Sequence, residues 1–104
     1  MDYEHDREAA AAPEPSLTEM TAAAIAALEA AAAADRDGDG GDGSDPGYYL
    51  MVEGGRVDHA NHAGNLFRTV TDGVAYQHAV RYAMEHTDPQ ETLIISTADH
   101  SHGL

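Results

Sequence analysis

Two short apolar runs and the stretch between them constrain this chain most. GYYLMVE, residues 47–53, and ETLIISTAD, with its core at about 92–98, are aromatic or β-branched enough to be buried strands. Between them, NLFRTVTDGVAYQHAVRYAMEH sets Leu66, Phe67, Val70, Val74, Val80 and Ala83 near helical spacing. That spacing predicts a helix over about 64–86, closed before Pro89, which cannot continue one. Strand, long helix, strand is one βαβ unit, and so the expected class is α/β with two parallel strands.

Ahead of this unit the chain is poor core material. Residues 1–46 hold 12 of the 19 acidic residues, an alanine tract, and DRDGDGGDGSDPG, which has almost nothing to bury. PSLTEMTAAAIAALEAAAAA begins with a capping box, Ser16 with Glu19, followed by a thin stripe of Leu17, Met20, Ile25 and Leu28. A helix over about 17–34 is expected there, and an acidic linker over 35–46. Asp35, Asp37, Asp39 and Gly40 match the first half of a calcium loop, but the twelfth position is Pro46 where a bidentate Glu belongs. A solvated linker is the better reading.

The formal charge of −14 argues against nucleic acid and anionic membranes as partners. All five basic residues are arginines, which fits either a salt-loving source or a GC-rich genome with an acidic linker. Without cysteine, any metal must be held by oxygen and imidazole. MDYEHDREAA lacks the basic and apolar regions of a signal peptide, and no apolar run suggests a bilayer span, so the chain reads as soluble.

VEGGRVDHANH (52–62) and TADHSH (97–102) gather Glu53, Asp58 and Asp99 with His59, His62, His100 and His102. In open α/β sheets, ligands collect beyond the carboxyl ends of the strands, where Glu53 and the Asp99–His100 pair would both sit. Asp58 and His62, four apart, share a face if the chain turns helical after Gly55. Carboxylate and imidazole without thiolate suit zinc or a similar divalent ion in a hydrolytic site. The two pairs supply four donor positions, where two ions would need about six. No serine has a nucleophile's surroundings: Ser16 caps, Ser44 is in the linker, Ser96 lies in a strand, and Ser101 has no dedicated base.

VEGGRVDHANH, the helix after it and TLIISTADHSH together resemble the alkaline phosphatase family, in order and in spacing. YEHDREAAAAPEPSLTEMTAAAIAAL also looks like the family's approach to that region. The resemblance implies a piece of a larger sandwich, a central sheet flanked by helices, covering a middle-to-late slice of the domain. It implies that Glu53 binds magnesium, that Asp58 and His62 bind one zinc, and that Asp99 and His100 bind a second. His102 matches a histidine that hydrogen-bonds a zinc-binding carboxylate and orients it, and His59 a variable position near phosphate and magnesium. Family enzymes hydrolyse phosphate monoesters through a phosphoserine. The nucleophilic serine, the phosphate-gripping arginine, the aspartate bridging zinc and magnesium, and a further zinc-binding histidine have no match here. Arg56 belongs to the VEGGR motif and is not that arginine. The expectation is thus a fragment of an exported phosphatase, with a homodimer as the expected parent, that does not catalyse alone.

Two other readings stay open. Phosphoglycerate mutases, sulfatases and nucleotide phosphodiesterases share the D-x-x-x-H and D-H pairs, though the position of Glu53 favours alkaline phosphatase. A non-catalytic acidic metal-binding polypeptide would instead bind calcium through Asp35 to Asp45, insensitive to loss of His62 and His100.

Overall fold

The computed structural model describes residues 1–11, 14–36 and 46–103. Its helices are α1 (Glu4–Ala9), α2 (Leu17–Arg36), α3 (Gly55–His62) and α4 (Leu66–His86), and α1, α2 and α3 all pack on α4.

The start of α2 is fixed locally. The Glu19 backbone N–H donates to Ser16 Oγ at 3.1 Å, and the Glu19 carboxylate accepts from the Ser16 backbone N–H at 2.7 Å and from its hydroxyl at 2.9 Å. These bonds to the charged form hold the Glu19 carboxyl below the usual carboxylate range. Alanine then carries the helix at the lowest entropic cost of any residue. Leu17, Thr21 and Ile25, four residues apart, are its buried face, and the Thr21 hydroxyl donates to the Leu17 carbonyl at 2.7 Å. Met20, expected in that stripe, is exposed. By length and composition this 20-residue helix could cross a bilayer, contrary to the sequence reading that saw no such run; a core helix passes the same test. Asp35 falls in its last turn, while Asp37, Asp39 and Gly40 of the calcium-like pattern lie outside the described residues.

The break between α3 and α4 is equally local. The Asn65 N–H reaches the Ala60 carbonyl and the Gly64 N–H reaches the Asn61 carbonyl, both at 2.9 Å, with Gly64 at φ +61°. This is a Schellman stop, which needs the left-handed conformation that glycine adopts without strain. Asn65 then caps α4 by accepting from the Arg68 N–H at 3.1 Å. Ala60, fully buried, and a side-chain bond from Thr69 Oγ1 to Asn61 Oδ1 at 2.9 Å seat α3 against α4.

The expected βαβ unit is corrected here: among the described residues there is no strand and no sheet. Residues 47–53 are extended, with Tyr48, Leu50 and Val52 half-buried and Tyr49 and Met51 exposed. The two-residue alternation is that of a strand, and Leu50 and Val52 flank a shallow groove with Leu17, Thr21 and Ala24 of α2. Residues 93–98 run without regular structure, and Leu93 and Ile95 are 83% and 76% exposed. Composition sets an extended backbone, but a ladder needs N–H and C=O partners along the whole run, and two strands alone are marginal in water.

The first residues fasten to α4 through charge. The Tyr3 ring meets the guanidiniums of Arg56 and Arg68, 4.9 and 4.3 Å from its centroid. Arg68 pairs with Asp6 at 2.8 Å, Arg56 donates to the Met1 carbonyl, and Asp72 Oδ1 accepts from the Glu4 N–H at 3.3 Å. Asp72 is buried and its Oδ2 has no partner, so burial pushes its carboxyl above the usual range. Folding therefore favours the protonated form, and the native state binds more protons than the unfolded chain just above the ordinary carboxylate pKa. The contribution of Asp72 to stability should therefore fall as pH rises through that interval, against the opposite contributions of Glu4, Glu14 and Glu19, whose carboxyls are held below their usual range. Asp72→Asn, which keeps an oxygen for the Glu4 N–H, should raise stability at pH 7 by on the order of 1 kcal/mol and remove that fall. Urea midpoints of both proteins from about pH 4 to 7 check this.

Candidate metal centre

Glycine opens the site. Gly54 precedes α3 as its N-cap, and a Cβ there would lie 3.0 Å from the Tyr76 ring, tighter than nearly all such contacts. The chain therefore passes Tyr76 closely and turns into α3, whose four-residue spacing sets Asp58 and His62 side by side. Asp58 Oδ2 is 3.5 Å from His62 Nε2.

The C-terminal segment brings the second cluster to the same carboxylate. His100 Nε2 lies 3.6 Å and His102 Nε2 3.8 Å from Asp58 Oδ1. Asp99 Oδ2 is 3.6 Å from His100 Nε2, and the His62 and His102 rings meet edge to face with centroids 4.5 Å apart. Asp58, His62 and His102 each offer a ligand atom, all within 4.8 Å of one another.

The electrostatics of this cluster call for a cation. Asp58 Oδ1 is buried without a hydrogen-bond partner. The Nδ1 atoms of His100 and His102 lie 3.0 Å from the carbonyls of Ser101 and Gly103, so each Nδ1 carries the proton. In the neutral ring Nε2 is then a bare lone pair, and two such lone pairs face one unsatisfied carboxylate oxygen. Either imidazolium or a divalent ion relieves that arrangement. The Ser101 carbonyl, then the charges of Asp99 and Asp58, hold the His100 imidazole above its ordinary pKa. A metal would take the same Nε2 positions, with each Nδ1–H anchoring the ring. The donor set, one carboxylate and imidazoles without thiolate, fits zinc-like ions.

Of the residues singled out from sequence, the structure brings together Asp58, His62, His100 and His102, with Asp99 joined through His100. Asp99 is largely exposed. Glu53 and His59 are exposed and belong to neither the three-residue set nor its ion pairs among the described residues; the Glu53 carboxylate instead folds back over Gly55. The convergence of His102 on Asp58 as a direct donor was not legible from spacing. Tyr76, which lies against Gly54, carried no signal beyond an aromatic on a helix.

No described serine stands at the cluster with a base of its own, and the one hydroxyl bonded to a carboxylate, Ser16 to Glu19, is spent on the capping box. Ser16 caps α2, Ser96 Oγ lies 3.0 Å from Tyr76 Oη, and Ser101 is exposed. Ser44 is outside the described residues. The remaining histidines sit elsewhere: His5 against Phe67, His86 stacked on Tyr82, and His78 near Glu4.

Comparison with known proteins points the same way. The family model described as alkaline phosphatase matches residues 1–104. The chain is 38% identical over 102 residues to the tissue-nonspecific alkaline phosphatase of Gallus gallus, covering 98% of this chain and 17% of that protein. It is 41% identical over 93 residues to alkaline phosphatase 4 of Drosophila melanogaster, covering 89% of this chain and 14% of that protein. The chain thus spans roughly a sixth of the length of these curated relatives. No solved structure matches.

Proposed function

Because this chain belongs to the alkaline phosphatase family, we propose that it carries the metal-binding part of a phosphate-monoester hydrolase. One observation supports this most: a buried, unpartnered carboxylate oxygen, Asp58 Oδ1, faced by the Nε2 atoms of His100 and His102. Asp58 and His62 would hold one divalent ion, Asp99 and His100 a second, with zinc the best match to the donors, and Glu53 a magnesium nearby. His102 stands close enough to Asp58 either to orient it or to join the first ion. Bound there, such ions neutralise charge on a phosphoryl group and lower the pKa of water.

The chain's own residues supply placement. The four-residue spacing in α3 aligns Asp58 with His62, and the Nδ1–H bonds to backbone carbonyls turn the Nε2 atoms of His100 and His102 toward Asp58. Phosphate esters are the substrate class the family implies. The covalent step needs a hydroxyl with a dedicated base beside the metal, and no described serine stands at the cluster with one. Within this reading, the covalent step therefore falls to groups other than the described serines. The charge of −14 without lysine favours assay at high salt.

The test pairs zinc titration calorimetry with hydrolysis of p-nitrophenyl phosphate at alkaline pH, zinc and magnesium present. Saturable zinc binding without turnover is the expected result. Turnover abolished by Asp99→Ala would show the site to be complete and sink the placement-only role. Zinc binding indifferent to the loss of Asp58 would overturn the metal assignment.

A further inference from the structure

The two halves of the site come from segments about 40 residues apart in sequence, and something must keep them in register before a metal arrives. We infer that Tyr76 of α4 is the positioning residue that ties both segments together; this rests on the metal-site reading above.

One side chain touches both. Its ring closes on the Gly54 backbone, with Cδ2 at 3.0 Å and Cβ and Cγ at 3.2 Å from the place a Cβ would occupy. Gly54 follows Glu53 directly and lies four residues before Asp58. At the other end, Tyr76 Oη and Ser96 Oγ are 3.0 Å apart. Ser96 lies three residues before Asp99 and four before His100. Among the described hydrogen bonds, this is the one that joins the stretch from 93 to 103 to a helix. The other bonds in that stretch are to immediate neighbours, as with Thr97, His100 and His102. α3 has its own anchors in Ala60 and the Thr69–Asn61 bond, whereas the C-terminal segment, exposed along Leu93 and Ile95, otherwise meets the helices through His100 and His102, the candidate donors themselves.

Tyr76 thus shortens the search that His100 and His102 must make to reach Asp58. Ordering a free segment costs binding free energy, and a tether made beforehand removes part of that cost. The helix is the rigid element, and the tyrosine transmits its position to both sides.

The test compares zinc affinity, by competition with a chromophoric chelator, for the wild type, Tyr76→Phe, Ser96→Ala, the double variant and Tyr76→Leu. Tyr76→Phe and Ser96→Ala should each weaken zinc about fivefold, the net worth of one hydrogen bond. The double variant should be no weaker than either alone, because both remove the same bond. Tyr76→Leu, which also loses the ring against Gly54, should fall further, by about 10- to 100-fold, as residues supporting metal ligands do. Helix content should be unchanged in Tyr76→Phe, and its urea midpoint should fall by no more than the worth of that one bond, separating placement from loss of the helical packing. In the metal-free protein, Ser96→Ala should shift the Gly54 amide resonance as well as its own segment. Additive single effects, or an NMR shift confined to residues 92–98, would overturn the tether while leaving the metal site standing. Wild-type zinc affinity in Asp58→Ala would instead remove the metal site and leave the NMR result to decide the tether.

Discussion

Asp58→Ala should weaken zinc binding by about a hundredfold to a thousandfold. A structural zinc site is worth about 10–16 kcal/mol over about four ligands, so one ligand carries roughly 3–4 kcal/mol. Asp58 stands to lose at least that, because His62, His100 and His102 all lie against its carboxylate, at 3.5, 3.6 and 3.8 Å. Asp58→Asn keeps the shape and an oxygen but loses the charge that balances the ion, and should fall between. Since Asp58 Oδ1 is buried without a hydrogen bond, the metal-free alanine variant should be no less stable than the wild type. Calorimetric titration gives the affinity, and thermal unfolding without metal gives the second quantity. A site whose loss costs binding but not folding is the signature of a functional carboxylate.

Ile25→Ala should have the largest effect on folding. Ile25 is 5% exposed and is one of two large buried aliphatic side chains among the described residues, with Leu17. Truncation of such a residue costs about 2–5 kcal/mol from lost transfer energy and the cavity left behind. A small domain has only a few kcal/mol of net stability, so the cooperative transition should be lost or moved below room temperature. Helical circular dichroism should survive in part, because the alanine run of α2 keeps its own helix propensity. Met84→Ala, at a position 64% exposed, should change stability by about 0.5 kcal/mol or less and serves as the control. If both variants melt like the wild type, the packing of α2 on α4 is not what holds the chain together.

The features legible from sequence are those whose causes are local. Ser16 and Glu19 announce the start of α2 because a capping box is closed within four residues. Asp58 and His62 can be paired on paper because 3.6 residues per turn is a covalent consequence, not a tertiary one. Gly64 was a readable stop for α3, since a glycine after a helical run is the usual left-handed terminator, yet the expectation began the next helix there. The strands were misjudged for the complementary reason. YYLMV and TLIIS specify extension and a two-residue alternation, but pairing depends on what lies beside them, and here residues 50–53 share a shallow groove with α2.

Sequence alone determined the family membership and the stretches that form α2 and α4, and it named the candidate metal donors, because each follows from residue type and near-neighbour spacing. The tertiary structure decided that His102 shares Asp58 with His100, that Glu53 and His59 stand apart, and that Tyr76 touches both segments. The physical reason is distance along the chain. Contacts between residues some 40 apart are set by how α3 and the C-terminal segment pack around α4, and no local pattern encodes that packing.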